Sequence, residues 1–209
     1  MNGDRAPITV ITASIPGREE LLGATLASVY NQQIPVEAHL VMAQTITPGM
    51  PGPQHCAIQQ GYLLPAVRSE FTMRLADDDQ LLPHYVATML PYLDQADVLY
   101  AWDANGSRPR VNCNDWGHDR VTATLETSNW IDGSAVLMRT EILRSFGGWP
   151  TEWEGAGLFQ GGHFKGYQSG YDDQTVFYCM AKAGARFLCV PEETWAYGTG
   201  PWSRLSTGG

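Results

Sequence analysis

The sequence predicts a single α/β domain whose first half is a parallel, Rossmann-like sheet, and three observations carry that prediction. Short β-branched or apolar runs alternate with helical patterns over the first 76 residues, which calls for successive βα crossovers between parallel strands. A length of 209 residues with 44% hydrophobic and 17% charged side chains is enough for one sizeable core and short for two. No internal repeat and no linker-like stretch divides the chain.

The elements follow in order. Residues 7–12 (PITVIT) read as a buried strand, broken by Pro16 and Gly17. In residues 18–32, Leu22, Leu26 and Val29 recur at i, i+4 and i+7, while Glu19 and Glu20 sit where the helix dipole favours acid. Residues 38–43 (AHLVMA) form a second strand, 51–67 a second helix after a Pro/Gly loop, and 71–76 (FTMRLA) a third strand. Beyond them, 82–93 reads as a helix with Pro83 near its first turn, 96–102 as a strand, and 105–119 as a polar loop. Residues 130–139 read as a strand and 141–146 as a short helix ended by Gly147 and Gly148. The glycine-rich stretch 154–170 has the composition of a binding loop or lid. A last helix is expected over 172–184, a last strand over 187–190, and a loosely ordered tail from 198.

A formal charge of −9 disfavours nucleic acid or an anionic membrane as partner, because such binding relies on clustered Lys and Arg. Cys56, Cys113, Cys179 and Cys189 form no CxxC pair and read as reduced, buried thiols. Neither a signal-peptide pattern nor a bilayer-length apolar run is present, so a cytoplasmic protein is expected.

Two acidic clusters carry the chemistry. In open α/β sheets ligands bind beyond the carboxyl ends of the strands, and the third strand ends in Asp77, Asp78 and Asp79. Three adjacent carboxylates repel one another, and a divalent cation held by hard oxygen ligands relieves that repulsion. A turn that caps the next helix accounts for the same residues. The second cluster, Asp172 and Asp173, opens the last helix, where capping and dipole complementarity are again a sufficient explanation. Taken together, one carboxylate site for a metal-bound diphosphate and another to accept a proton are the parts of a metal-assisted group transfer.

On these residues the chain resembles the family 2 glycosyltransferases, which have the GT-A fold, and the resemblance covers nearly the whole length. The opening ITVITASIPGREELLGATLASVYNQ is similar to that family's first strand, nucleotide-binding loop and helix, and LADDD to its DxD-type motif. GGWP is similar to the segment before its acceptor site, and DDQTVFYCMAKAGARFLCVPE to its acidic helix and following strand.

The resemblance implies one domain with a mixed central β-sheet flanked by helices, a donor half over about 7–103 and an acceptor half over about 104–197. It implies inverting transfer from a nucleotide-sugar, a UDP- or GDP-sugar, to a hydroxyl of a small compound, glycan or glycosylated macromolecule, with Mn²⁺ or Mg²⁺ as cofactor. Thr12, Ala13, Ser14, Arg18, Asp77 and Asp78 would line the nucleotide, Asp79 would ligate the metal, and Asp173 would be the general base. Trp130, Asp132, Trp149 and Asp172 would face the acceptor, the tryptophans offering aromatic faces to a sugar; core packing is the competing account of each tryptophan.

The chain departs from the family at two places. Met42, Ala43 and Gln44 stand where the family often ends its second strand with an acidic pair, and no histidine follows His163, which leaves His163 itself as a candidate further metal ligand. Two other readings stay open: a sugar nucleotidyltransferase, against which the absence of a basic, glycine-rich phosphate loop counts, and a non-catalytic nucleotide- or carbohydrate-binding module of the same fold.

Overall fold

The structure, a computed structural model, describes residues 5–45, 52–106, 110–128, 130–149 and 173–198. Its described strands form one seven-stranded mixed sheet in the order β2-β1-β3-β6-β5-β7-β4.

The N-terminal half of the sheet is built as the pattern predicts. β1 (Ala6–Ser14) pairs in parallel with β2 (Val36–Ala43) on one side and β3 (Phe71–Arg74) on the other. α1 (Glu19–Tyr30) and α2 (Gly52–Leu63) make the crossovers. A strand covered on both faces is apolar throughout rather than alternating, which is why the run from Ile8 to Ile11 reads as continuous. The second half returns through β6 (Val136–Arg139), antiparallel to both β3 and β5 (Val98–Asp103), with β7 (Phe187–Ala196) parallel to β5.

Period-two alternation sorts the core into two layers. Val98, Tyr100, Val136 and Met138 pack with residues of α2, α4 (His118–Thr127), α5 (Thr140–Ser145) and α6 (Asp173–Lys182). Their neighbours Leu99, Ala101, Ala135 and Leu137 pack on the opposite face with Val29 of α1 and with Tyr85, Val86 and Met89 of α3 (Tyr85–Met89).

Several expectations shift. α4 starts at the end of the expected 105–119 loop and runs mostly through residues for which the sequence predicts no element. Its buried residues are Val121 and Leu125, spaced i and i+4 in an otherwise polar stretch. The strand expected over 130–139 begins only at Val136, because Asp132 to Ala135 form a turn. The helix expected over 82–93 shortens to α3 and a 3₁₀ turn, Leu90–Tyr92, at Pro91, whose nitrogen has no proton to donate. Ahead of it lies the unpredicted β4 (Gln80–Leu81), antiparallel to the end of β7. β7 itself continues past Pro191, where a register shift in its pairing with β5 accommodates the imino acid. In α1 the buried face centres on Thr25 and Val29, and Leu26 is exposed.

Candidate active site

Parallel pairing sets the carboxyl ends of β1 and β3 side by side, and there the chain places its first acidic cluster. Ser14, the last residue of β1, donates from Oγ to Asp77 Oδ2 at 2.6 Å. Arg18, just before α1, donates from Nε to the same oxygen at 2.8 Å and from Nη2 to Asp77 Oδ1 at 2.8 Å. Nη2 also lies 2.9 Å from Asp78 Oδ2. A planar guanidinium matches a carboxylate in this two-pronged way, so both Asp77 oxygens are engaged. Burial works against the Arg18 charge, but the hydrogen bonds and charges of Asp77 and Asp78 outweigh it and hold its pKa above the ordinary value.

Asp79 faces elsewhere. It is 1% exposed, its Oδ1 accepts the Gly198 amide at 2.7 Å, and its Oδ2 is buried with no hydrogen-bond partner among the described residues. Burial pushes its carboxyl up to about 7; Ser134 and Gly198 oppose that by hydrogen bonding, and the charges of Asp78 and Asp132 add to it. Around it the loop is braced: Thr25 Oγ1 donates to the Asp79 carbonyl at 2.8 Å, and the Ala76 amide donates to Ser134 Oγ at 3.0 Å.

Ser134 belongs to a tight turn in which its amide donates to Asp132 Oδ1 at 2.9 Å. The next residue, Ala135, has φ 55°, a left-handed conformation that costs energy for a residue with a β-carbon. It is held there by its amide bond to the Arg74 carbonyl at 2.8 Å and by Tyr85 Oη, which donates to its carbonyl at 2.7 Å.

The second acidic cluster meets the same turn. Asp173, in the first turn of α6, forms an ion pair with Arg74 of β3, and Arg74 Nη1 also donates to the Gly133 carbonyl at 3.2 Å. A β-carbon at position 133 would overlap the Asp173 carboxyl and the Arg74 guanidinium, so glycine there is a requirement of close approach. Ser134 therefore works on Asp79 while its neighbour Gly133 abuts Asp173. Cys56 of α2 connects the clusters: burial raises its thiol pKa, and it feels Arg74, Asp77, Arg18 and Asp78 together.

The remaining expected residues are distributed unevenly. Thr12 and Ala13 are buried within β1, and Thr12 Oγ1 lies 2.9 Å from His39 Nε2 rather than at the cleft edge. Trp130 tilts against Trp116, with ring centroids 5.0 Å apart, and donates from Nε1 to Tyr100 Oη at 3.3 Å. Trp149 is 3% exposed and packs in the core. His163 and Asp172 lie outside the described residues.

Sequence reasoning missed Arg74, Gly133 and Ser134, and also a buried amide network at the ends of β1 and β2. In that network Gln59 exchanges hydrogen bonds with the Ser14 backbone at 3.3 and 3.0 Å, and His55 Nε2 lies 2.5 Å from Gln59 Nε2 and 3.1 Å from the Gln44 carbonyl. The i, i+4 spacing of His55 and Gln59 on one helix was its only sequence signal.

Among the described residues no group of three His, Cys, Asp or Glu side chains converges to cage a metal. The donor set does fit a cation shared with a ligand: Asp79 Oδ2 is a hard oxygen with no partner among the described residues, and Mg²⁺ is commonly held by one or two carboxylates plus substrate phosphates. Asp77, already engaged twice by Arg18 and once by Ser14, is not available in this arrangement.

No protein-family model matches the chain, and no curated protein matches it. Solved structures do match. TarS 1-349 from S. aureus, in complex with UDP-GlcNAc, superposes with a TM-score of 0.62 at 14% identity, covering 97% of this chain and 61% of that one. The mannosyltransferase PcManGT from Pyrobaculum calidifontis, in complex with GDP-Man and Mn²⁺, superposes with a TM-score of 0.59 at 15% identity, covering 94% of this chain and 58% of that one. The chain thus spans about three-fifths of the length of these proteins. At such identities the likeness shows the fold alone, and that fold is GT-A. No helix among the described residues is long and apolar enough to cross a membrane.

Proposed function

We propose that the chain is a glycosyltransferase that moves a sugar from a nucleoside-diphosphate donor to an acceptor hydroxyl, with inversion. One observation carries the proposal: Asp79 and Asp173, from distant segments of the sequence, meet adjacent residues of a single turn, Ser134 and Gly133. Supporting it, two neighbours of the same fold were solved with UDP-GlcNAc and with GDP-Man.

In this reading Arg18, Asp77 and Asp78 shape the nucleotide end of the cleft, and Asp79 presents its free oxygen toward the diphosphate. A divalent cation held there, Mn²⁺ or Mg²⁺, would neutralise charge on the leaving diphosphate. Asp173 accepts the proton of the acceptor hydroxyl as that oxygen bonds to the anomeric carbon. The bond from that carbon to the diphosphate oxygen breaks, and the nucleoside diphosphate leaves with the electron pair. Attack from the face opposite the leaving group inverts the centre.

The test is a panel of UDP-, GDP-, CMP- and TDP-sugars with Mn²⁺, Mg²⁺ or EDTA, read by thermal stabilisation and by slow donor hydrolysis. Stabilisation and hydrolysis by one nucleotide class, both abolished by EDTA, are expected. Binding without hydrolysis or transfer would favour a non-catalytic module of the same fold, and silence across the panel would contradict the proposal.

A further inference from the structure

We infer that Arg74 is a positioning residue for Asp173, and that Gly133 exists as glycine to let the two meet; the inference rests on the proposed role of Asp173 as base. Asp173 opens α6, a place where a carboxylate left to itself points to solvent or caps its own helix. Instead it reaches a guanidinium anchored in the central sheet, on a residue 99 positions earlier in the chain. Arg74 is well suited to hold it. β3 is paired on both sides, by β1 and β6, so the arginine stem starts from one of the stiffest parts of the fold.

The guanidinium is also fixed from a second side, because Nη1 donates to the Gly133 carbonyl at 3.2 Å. The same residue supplies space, since any side chain at 133 would push the carboxyl or the guanidinium away. Arg74 is not exhausted by these contacts: among the described residues its buried Nε has no hydrogen-bond partner, so one donor of the guanidinium is unspent. A base must stay within hydrogen-bond reach of the proton it removes, and misplacement by about 1 Å can cost on the order of 10²-fold in rate. Tethering Asp173 to the sheet fixes where its carboxylate stands.

The experiment measures kcat and KM for hydrolysis of UDP-GlcNAc and of GDP-mannose, each with Mn²⁺, alongside the thermal midpoint. The variants are Arg74→Gln, Arg74→Lys, Gly133→Ala, Asp173→Asn and the double variant Arg74→Gln/Asp173→Asn. Arg74→Gln and Gly133→Ala are expected to lower kcat by about 10–100-fold with KM within about threefold, and Arg74→Lys to recover part of the loss. Adding Arg74→Gln to Asp173→Asn should cost nothing further, because the two residues act as a unit.

Asp173→Asn inactive with Arg74→Gln at wild-type kcat would overturn the positioning role and leave the base intact. Losses that multiply in the double variant would also overturn it, as would a loss confined to KM. Full activity in Asp173→Asn, or no turnover of either donor by the wild type, would remove the base itself and the inference with it. Should Arg74→Gln fail to fold, the comparison of Arg74→Lys with Gly133→Ala decides by the same split.

Discussion

The two acidic clusters of this cleft are built in opposite ways. Asp77 is saturated: Ser14 donates to one oxygen, Arg18 to both, and Arg18 extends to Asp78 as well. These residues lie close in the fold because β1 and β3 are parallel neighbours, so the contact is part of the sheet's own architecture. Asp79 and Asp173 are spare by contrast. Among the described residues Asp79 keeps one buried oxygen unpartnered, and Asp173 is reached by Arg74 beside Gly133. A saturated carboxylate stabilises the fold, whereas a buried oxygen without a partner is costly to maintain and marks where a ligand is to be met. The DDD motif is thus divided in its contacts, its first member saturated by Ser14 and Arg18 and its last buried apart from them.

Three substitutions or conditions break that comparison, in order of expected size. Asp173→Asn should lower turnover by about 10²–10⁴-fold, the usual worth of general-base assistance, with the thermal midpoint little changed; steady-state kinetics of donor hydrolysis checks it. Arg18→Ala should destabilise the fold by about 1.5–3 kcal/mol in chemical denaturation, since it strips charge-assisted hydrogen bonds from a carboxylate that is mostly covered. The smallest effect belongs to a purely structural carboxylate far from the cleft, Asp97. Burial would raise its pKa, but hydrogen bonds from Arg186 and Arg139 prevail and hold it below its ordinary 3.8. The unfolded chain therefore binds the proton first, so this contribution is fully present above about pH 4 and is lost as pH falls through the depressed folded value. Acid denaturation of Asp97→Asn should show a shallower loss of stability below pH 4 than the wild type.

How much of this was legible in the sequence follows from what kind of contact each residue makes. The βαβ half could be read because β-branched runs and helical spacing are local, and its acids could be read because they fall where a parallel sheet opens. The division of labour within Asp77 to Asp79 was not legible, since it depends on which oxygen Arg18 reaches. Gly133 and Ser134 read as part of a strand over 130–139, because the turn they form is marked by contacts with Asp79 and Asp173 from distant segments. Arg74 sat unremarked in an apolar strand, although a charged residue in a strand paired on both sides is itself a signal that something must meet it. α4 was passed over because only Val121 and Leu125 mark its buried face within a polar stretch.

The central claim is that Asp79 and Asp173 share one turn but divide binding from turnover. Titration calorimetry of Asp79→Asn and Asp173→Asn with Mn²⁺ and the responsive nucleotide-sugar, paired with donor hydrolysis, tests it most directly. The expected pattern crosses: Asp79→Asn loses metal-dependent binding, while Asp173→Asn binds like the wild type and fails to turn over. Undiminished metal-dependent binding by Asp79→Asn, or undiminished turnover by Asp173→Asn, would contradict the account.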